Sequence, residues 1–250
     1  MKYLGIEPAR PRVGVFDFTG CEGCELQLAN REESLLAFLA AVEIVDFREL
    51  SSSAGGDVDI AFVDGSVSRR DEVERIERIR ARSRVLVALG SCACFGGVSR
   101  LKNVLGLEHA NRVVYGDRPR DTMEVRPIRD VVPVDLEIPG CPVCKEEVER
   151  VVQHLVFDVP YSFPVYPVCL DCRQRLTACL MDRGRLCLGS VTRGGCDAPC
   201  PAGGLGCWGC RGPAADANLE QLVADASSRG FSDAEIAERI GLFGGFEGLR

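Results

Sequence analysis

At 250 residues, 46% hydrophobic and 27% charged, the chain is long enough to bury one large core or two smaller ones. Its formal net charge of −7 argues against nucleic acid, which wants a basic stripe, and weakly against an anionic membrane surface. No apolar stretch has the length of a transmembrane segment, and the opening MKYLGIEPARPRVGVFDF has neither a cleavable apolar run nor a twin-arginine pair, so the expected compartment is the cytoplasm.

Arg12 to Phe18 (RVGVFDF) is β-branched and aromatic, which predicts a strand, and it runs directly into Thr19-Gly20-Cys21-Glu22-Gly23-Cys24. A helix is expected over Glu25 to Ala41, with Leu26, Leu35, Leu36, Phe38 and Leu39 on its apolar side, followed by a strand over Val42 to Phe47. Val58 to Val63 reads as a buried strand. Arg70 to Arg82 reads as an amphipathic helix with Val73, Ile76 and Ile79 inward, and its charges (Asp71, Glu72, Glu74, Arg75, Glu77, Arg78) read as a solvated face. Arg84 to Leu89 is another apolar strand, ending in Gly90-Ser91-Cys92-Ala93-Cys94-Phe95-Gly96-Gly97. After a less regular stretch, Val132 to Ile138 is the last strand expected; it ends in Pro139-Gly140-Cys141-Pro142-Val143-Cys144, with a helix from about Lys145 to Leu155.

Near-continuous apolar strands alternating with helices imply an α/β fold, a flavodoxin-like parallel sheet covered on both faces. This pattern ends near residue 160, giving an N-terminal domain over 1–160 and an irregular cysteine-rich C-terminal domain over 161–250. Within the latter, Leu219 to Ser228 reads as a helix, and Ser232-Asp233-Ala234-Glu235 as a capping box opening a last helix toward Ile240. Leu242, Phe243 and Phe246 are candidates for packing on a partner.

Fourteen cysteines in a cytoplasmic chain read as metal ligands before disulfides. Cys21, Cys24, Cys92 and Cys141 each follow a predicted strand, so their loops converge where ligands sit in open parallel sheets. Four thiolates accept either zinc or a [4Fe–4S] cluster, and spacing does not choose between them. The flanking Gly20, Gly23, Gly90, Gly96, Gly97 and Gly140 lean toward the cluster, since close backbone N–H groups stabilise its negative charge. Cys94 and Cys144 exceed the count of four and read as packing residues. From Cys169 to Cys210, eight cysteines and eight glycines occupy forty-two residues, and eight thiolates suit two further four-ligand sites. His109 and His154 lie outside every cysteine motif. Trp208 is either a shield for a metal site or a hydrophobic plug, and Glu25 complements the positive end of the helix it opens.

These residues resemble the small, electron-transferring subunit of [NiFe] hydrogenases, in the cytoplasmic branch that includes sulfhydrogenase delta subunits and F420-non-reducing hydrogenase small subunits. The family's proximal pattern, C-x-x-C-E, G-x-C-A and P-G-C-P, falls on Cys21, Cys24 and Glu25, on Cys92 and Ala93, and on Gly140, Cys141 and Pro142. This half is shared with the 20 kDa subunit of complex I, which leaves as an alternative a complex I-like electron-transfer subunit without hydrogenase activity. The second half is similar to the segment that adds two clusters in hydrogenases. The resemblance implies a distal site of Cys169, Cys172, Cys179 and Cys187 and, after Cys187-Leu188-Gly189-Ser190-Val191-Thr192, a medial site of Cys196, Cys200, Cys207 and Cys210. Crossed pairing between those two sets stays open. Cys169 stands where many periplasmic relatives have histidine, and Cys200 would make the medial cluster [4Fe–4S] where some relatives hold [3Fe–4S]. The resemblance further implies three [4Fe–4S] clusters, no catalytic residue in this chain, a large subunit that carries the nickel–iron centre, and a further flavin- or iron–sulfur-containing acceptor subunit.

Overall fold

The computed structural model describes residues 10–30, 39–48, 56–118, 120–157 and 159–247. The chain divides into two compact units, Met1–Tyr161 and Ser162–Arg250.

The first unit is built on five parallel strands, β1 (Arg12–Asp17), β2 (Glu43–Phe47), β3 (Val58–Asp64), β4 (Ser83–Leu89) and β5 (Leu136–Ile138), in the order β2-β1-β3-β4-β5. That is the flavodoxin-like order, and the direction of winding reverses between β1 and β3. β3 and β4 are buried along nearly their whole length, as continuous apolar runs covered on both faces must be. In register, Asp17, Asp64, Leu89 and Ile138 form one row across the carboxyl edge of the sheet. Every cysteine-bearing loop of this unit leaves the sheet just beyond that row.

Helix α1 (Gly23–Ala29) follows β1 and ends at Asn30, short of the helix expected over Glu25 to Ala41; residues 31–38 of that expectation lie outside the described residues. Helix α2 (Arg70–Ala81) places Ile76 and Ile79 in the apolar cluster with Val63, Leu86 and Cys94, with Val73 packed against it. The solvated face expected for α2 holds for Asp71, Glu74 and Arg78 but not for Glu72, which is 3% exposed. Its carboxylate turns back to accept the Ser68 N–H (2.7 Å), the Arg69 N–H (3.1 Å) and the Thr19 hydroxyl (2.9 Å), binding the turn after β3 to the turn after β1.

Strand β5 begins at Leu136 and not at Val132, since Pro133 has no N–H to give a ladder and the chain enters through a 3₁₀ turn at Ile128–Asp130. The glycine–cysteine motif after β4 forms α3 (Gly90–Phe95), and the stretch beyond it, less regular by sequence, contains α4 (Leu101–Leu105) and α5 (Leu107–Tyr115). The last two have no buried residue. Helix α6 (Lys145–Val156) closes the unit.

The second unit has short helices α7 (Val168–Gln174) and α8 (Pro199–Ala202) in its cysteine-rich part, then α9 (Leu219–Ser228) and α10 (Asp233–Gly241). The Ser232 hydroxyl accepts the Glu235 N–H, and Glu235 accepts the Ser232 N–H, forming the expected capping box. The cysteine-rich segment supplies Met181, Leu186, Leu188 and Val191 to an apolar cluster that Leu222, Ala226, Ile236, Ile240 and Phe246 complete. Phe243 and Phe246, expected as partner contacts, are buried within the chain itself, because this segment has too few apolar residues of its own. No helix among the described residues is long and apolar enough to cross a membrane.

Glu72→Ala strands two backbone donors and the Thr19 hydroxyl in a buried site, and is expected to cost about 3 kcal/mol of stability. Urea unfolding followed by far-UV circular dichroism measures it; a loss below about 0.5 kcal/mol would place the Glu72 network outside the forces that hold the sheet edge.

Candidate metal centre

Beyond the carboxyl row, the β1 and β3 turns are stitched together: Phe18 N–H donates to the Asp64 carbonyl (2.8 Å), and Thr19 and Ser66 exchange backbone bonds at 3.0 and 2.8 Å. Cys21 is exposed and Cys24 buried. The first turn of α1 has no cap from its own sequence. Asp64 supplies one, its carboxylate accepting the Cys24 N–H at 3.3 Å while also accepting the Gly65 N–H at 2.7 Å.

Two glycines admit sulfur to the strand ends. A side-chain carbon on Gly90 would lie 2.4 Å from Cys24 Sγ, and one on Gly97 would lie 2.5 Å from Cys92 Sγ; both have positive φ, +86° and +61°. The Ser91 N–H donates to the Gly140 carbonyl (2.8 Å), bringing the Cys92 helix alongside the turn that carries Cys141. The four predicted thiols therefore converge at one edge. Burial pushes the Cys24 thiol up, assisted by the Asp64 carboxylate and then by Cys92 and Cys141. Burial, Asp64, Cys141 and Cys21 push Cys92 up to about 12.

Cys94 and Cys144 stand apart. Cys94 is fully buried in the apolar cluster with its Sγ directed at the Ala88 carbonyl (3.6 Å), and Cys144 opens α6 with its Sγ 3.0 Å from Glu146 Oε2. His154 faces the carbonyls of Val159 and Pro160, and His109 is exposed.

In the second unit, α7 spaces Cys169 and Cys172 three residues apart, on one helix face. They line, with Cys179, Cys187, Gly189 and Leu180, a cavity of about 740 Å³. Burial, then Cys187, Cys172 and Cys179, push Cys169 up to about 11. Burial pushes the Cys196 and Cys207 thiols up, with Asp171 and then Cys200 adding to the first, and Cys187 and then Cys210 to the second. Cys187 Sγ accepts the Cys207 N–H at 3.1 Å, and after burial it also pushes Cys200 up. Trp208 is partly exposed, with the Arg239 guanidinium 3.4 Å above its ring.

Among the described residues, which include every cysteine, none forms a disulfide, and no three His, Cys, Asp or Glu side chains close around a single ion. The donor set is all thiolate, the usual ligand type of iron–sulfur cores.

Three residues near the thiols have no metal-binding motif to announce them: Asp64, Asp171 and Arg211, all buried. Asp64 was readable only as the polar end of the apolar run VDIAFV, and Asp171 and Arg211 only as charges embedded among cysteines.

A family model described as the NADH ubiquinone oxidoreductase 20 Kd subunit matches residues 21–155. The sulfhydrogenase 2 subunit delta of Pyrococcus furiosus is 39% identical over 236 residues, covering 93% of this chain and 98% of that protein. A subunit of the F420-non-reducing hydrogenase of Methanocaldococcus jannaschii is 28% identical over 277 residues, with 94% of each chain covered. A chain from the crystal structure of an NAD+-reducing [NiFe]-hydrogenase in its H2-reduced state superposes with a TM-score of 0.57 and 30% identity, covering 62% of this chain and 96% of its own.

With iron removed under reducing conditions, these thiols make stability depend on pH. Cys92 and Cys169 have folded-state values of about 12 and about 11 against an ordinary 9.0. A raised folded-state pKa contributes stability that is intact below pH 9.0 and is lost as pH climbs through about 11 to 12. The urea midpoint of the iron-free chain should fall across that window, and fall less in Cys92→Ser; a flat midpoint contradicts the burial described.

Proposed function

This chain belongs to the family of [NiFe] hydrogenase small subunits, and on that premise we propose that it holds three [4Fe–4S] clusters that link a nickel–iron large subunit to a further redox subunit. The first would be held by Cys21, Cys24, Cys92 and Cys141, the distal one by Cys169, Cys172, Cys179 and Cys187, and the medial one by Cys196, Cys200, Cys207 and Cys210. When bound, such clusters supply one-electron transfer between the hydrogen-converting centre of the large subunit and the acceptor.

The observation that carries this reading is the second gathering of thiols, Cys169, Cys172, Cys179 and Cys187 around one cavity, in addition to the four at the sheet edge. A single-cluster subunit has no use for it. The chain's own share of catalysis is to hold sulfur in place, exclude water and set charge. Gly90 and Gly97 bring Cys24 and Cys92 against the strand ends, and Asp64 fixes the helix turn that carries Cys24.

The large subunit is assigned to the carboxyl edge of the first unit. Cys21 and Cys141 are exposed there, and the helices following Cys92 expose Val104, Leu105, Val113 and Val114 at 60–76%. An apolar patch of this kind marks a partner surface. The acceptor, a flavin- or iron–sulfur-containing subunit, is assigned to the side of the second unit where Cys179 is exposed. The whole complex is assigned to the cytoplasm, where reduced thiols persist.

Anaerobically purified complex should contain about twelve irons and as many sulfides per copy of this chain, four for each cube. Cys94→Ala and Cys144→Ala should leave that content unchanged; a loss of about four irons in either variant would move the proximal ligand set. Cys200→Ser should remove about one iron and convert one four-iron electron paramagnetic resonance (EPR) signal to a three-iron signal. Loss of the whole cluster, or no change, would take Cys200 out of the ligand role given to it.

A further inference from the structure

The largest fully buried side chain among the described residues is a cation, Arg211, at 1% exposure. It follows Cys210 directly, and its Nε–H donates to the Gly194 carbonyl at 2.9 Å, two residues before Cys196. Gly195 has φ +91°, and a side-chain carbon there would stand 3.4 Å from Arg211 Nη2, so the chain before Cys196 lies directly against the guanidinium. From the other side, the buried Asp171 carboxylate accepts the Gly195 N–H at 2.7 Å. One short turn is thus gripped by a carboxylate from the Cys169–Cys172 helix and by a guanidinium from the Cys207–Cys210 loop.

A guanidinium is always protonated, so its burial fixes a positive charge beside this turn. Unlike the thiols, it cannot shed its charge. A cluster held by four thiolates is anionic and gains another negative charge on reduction, so a nearby buried cation favours the reduced form and raises the midpoint potential.

We propose that Arg211 sets the reduction equilibrium of the medial cluster by holding a fixed positive charge against the Gly194–Cys196 turn from its anchor beside Cys210. The assignment rests on the three-cluster reading above. Arg211 is a positioning and charge-setting residue that needs no contact with substrate, and Asp171 holds the same turn without supplying positive charge.

The test uses the whole complex, purified anaerobically, with EPR-monitored redox titration of wild type, Arg211→Met and Arg211→Lys; the medial component is the one altered by Cys200→Ser. In Arg211→Met, reduction of that component should become at least tenfold less favourable, a shift of about 59 mV to more negative potential for one electron. The other components and the iron content should stay at wild type, and Arg211→Lys, which keeps the charge, should recover most of the shift. If Arg211→Met loses iron, Arg211→Gln, which keeps a donor for the Gly194 carbonyl, is the neutral variant measured. An unmoved medial midpoint in a neutral variant with full iron overturns the proposal, as does loss of iron from both neutral variants, which would make Arg211 an assembly residue. A wild-type complex with about eight irons or fewer per chain overturns the three-cluster reading itself, a failure visible before any Arg211 variant is measured.

Discussion

The Asp64 carboxylate governs where the first thiols can stand. It ends β3 in the row Asp17, Asp64, Leu89, Ile138 and reaches across the switch in winding to accept the Cys24 N–H. A parallel sheet leaves its strand ends pointing into one crevice, but strand ends alone do not fix a side chain on a neighbouring helix. Asp64 does so, since its own burial and its bond to the Gly65 N–H leave it little freedom. The same carboxylate makes the crevice electrostatically uncomfortable for thiolates: burial and Asp64 together press Cys24 and Cys92 toward their protonated forms. A positively charged iron core held there would relieve that pressure, with release of the thiol protons.

The second unit solves a different problem. Its cysteine-rich segment is too poor in apolar residues to pack alone, so α9, α10 and the final turn, ending at Phe246, complete its core from one side. Around Cys187 the thiols approach a smaller cluster made of Val168, Ala198 and Cys207. Metal binding in such a segment is also folding energy, so ligand placement and stability are not separable there. Polar side chains do the remaining work at the junction between the two thiol groups, where Asp171 and Arg211 hold one glycine turn from opposite sides.

Most of the first unit was legible in the sequence because its strands are covered on both faces and read as plain apolar runs bounded by glycine. The thiols were legible for the same reason, each standing just past such a run. What escaped was non-local or unpatterned. Glu72 reads as one more charge on a helix, and only the meeting of the Thr19 and Ser68 turns makes it a buried acceptor. Helices α4 and α5 bury no residue, and Val104, Leu105, Val113 and Val114 lie exposed on the side assigned to a partner. Phe246 reads as a free apolar tail until Leu188 and Ile240 are seen around it. Arg211 beside Cys210 carries no periodic signal, and its burial follows from Gly194 and Gly195, both far from it along the chain.

The most direct measurement is anomalous diffraction at the iron edge from crystals of the anaerobically purified complex. The account requires three separate iron peaks in this subunit: one bounded by Cys21, Cys24, Cys92 and Cys141, and two more within the span from Cys169 to Cys210. Peaks at the zinc edge in their place, or iron confined to the edge of the sheet, would contradict it.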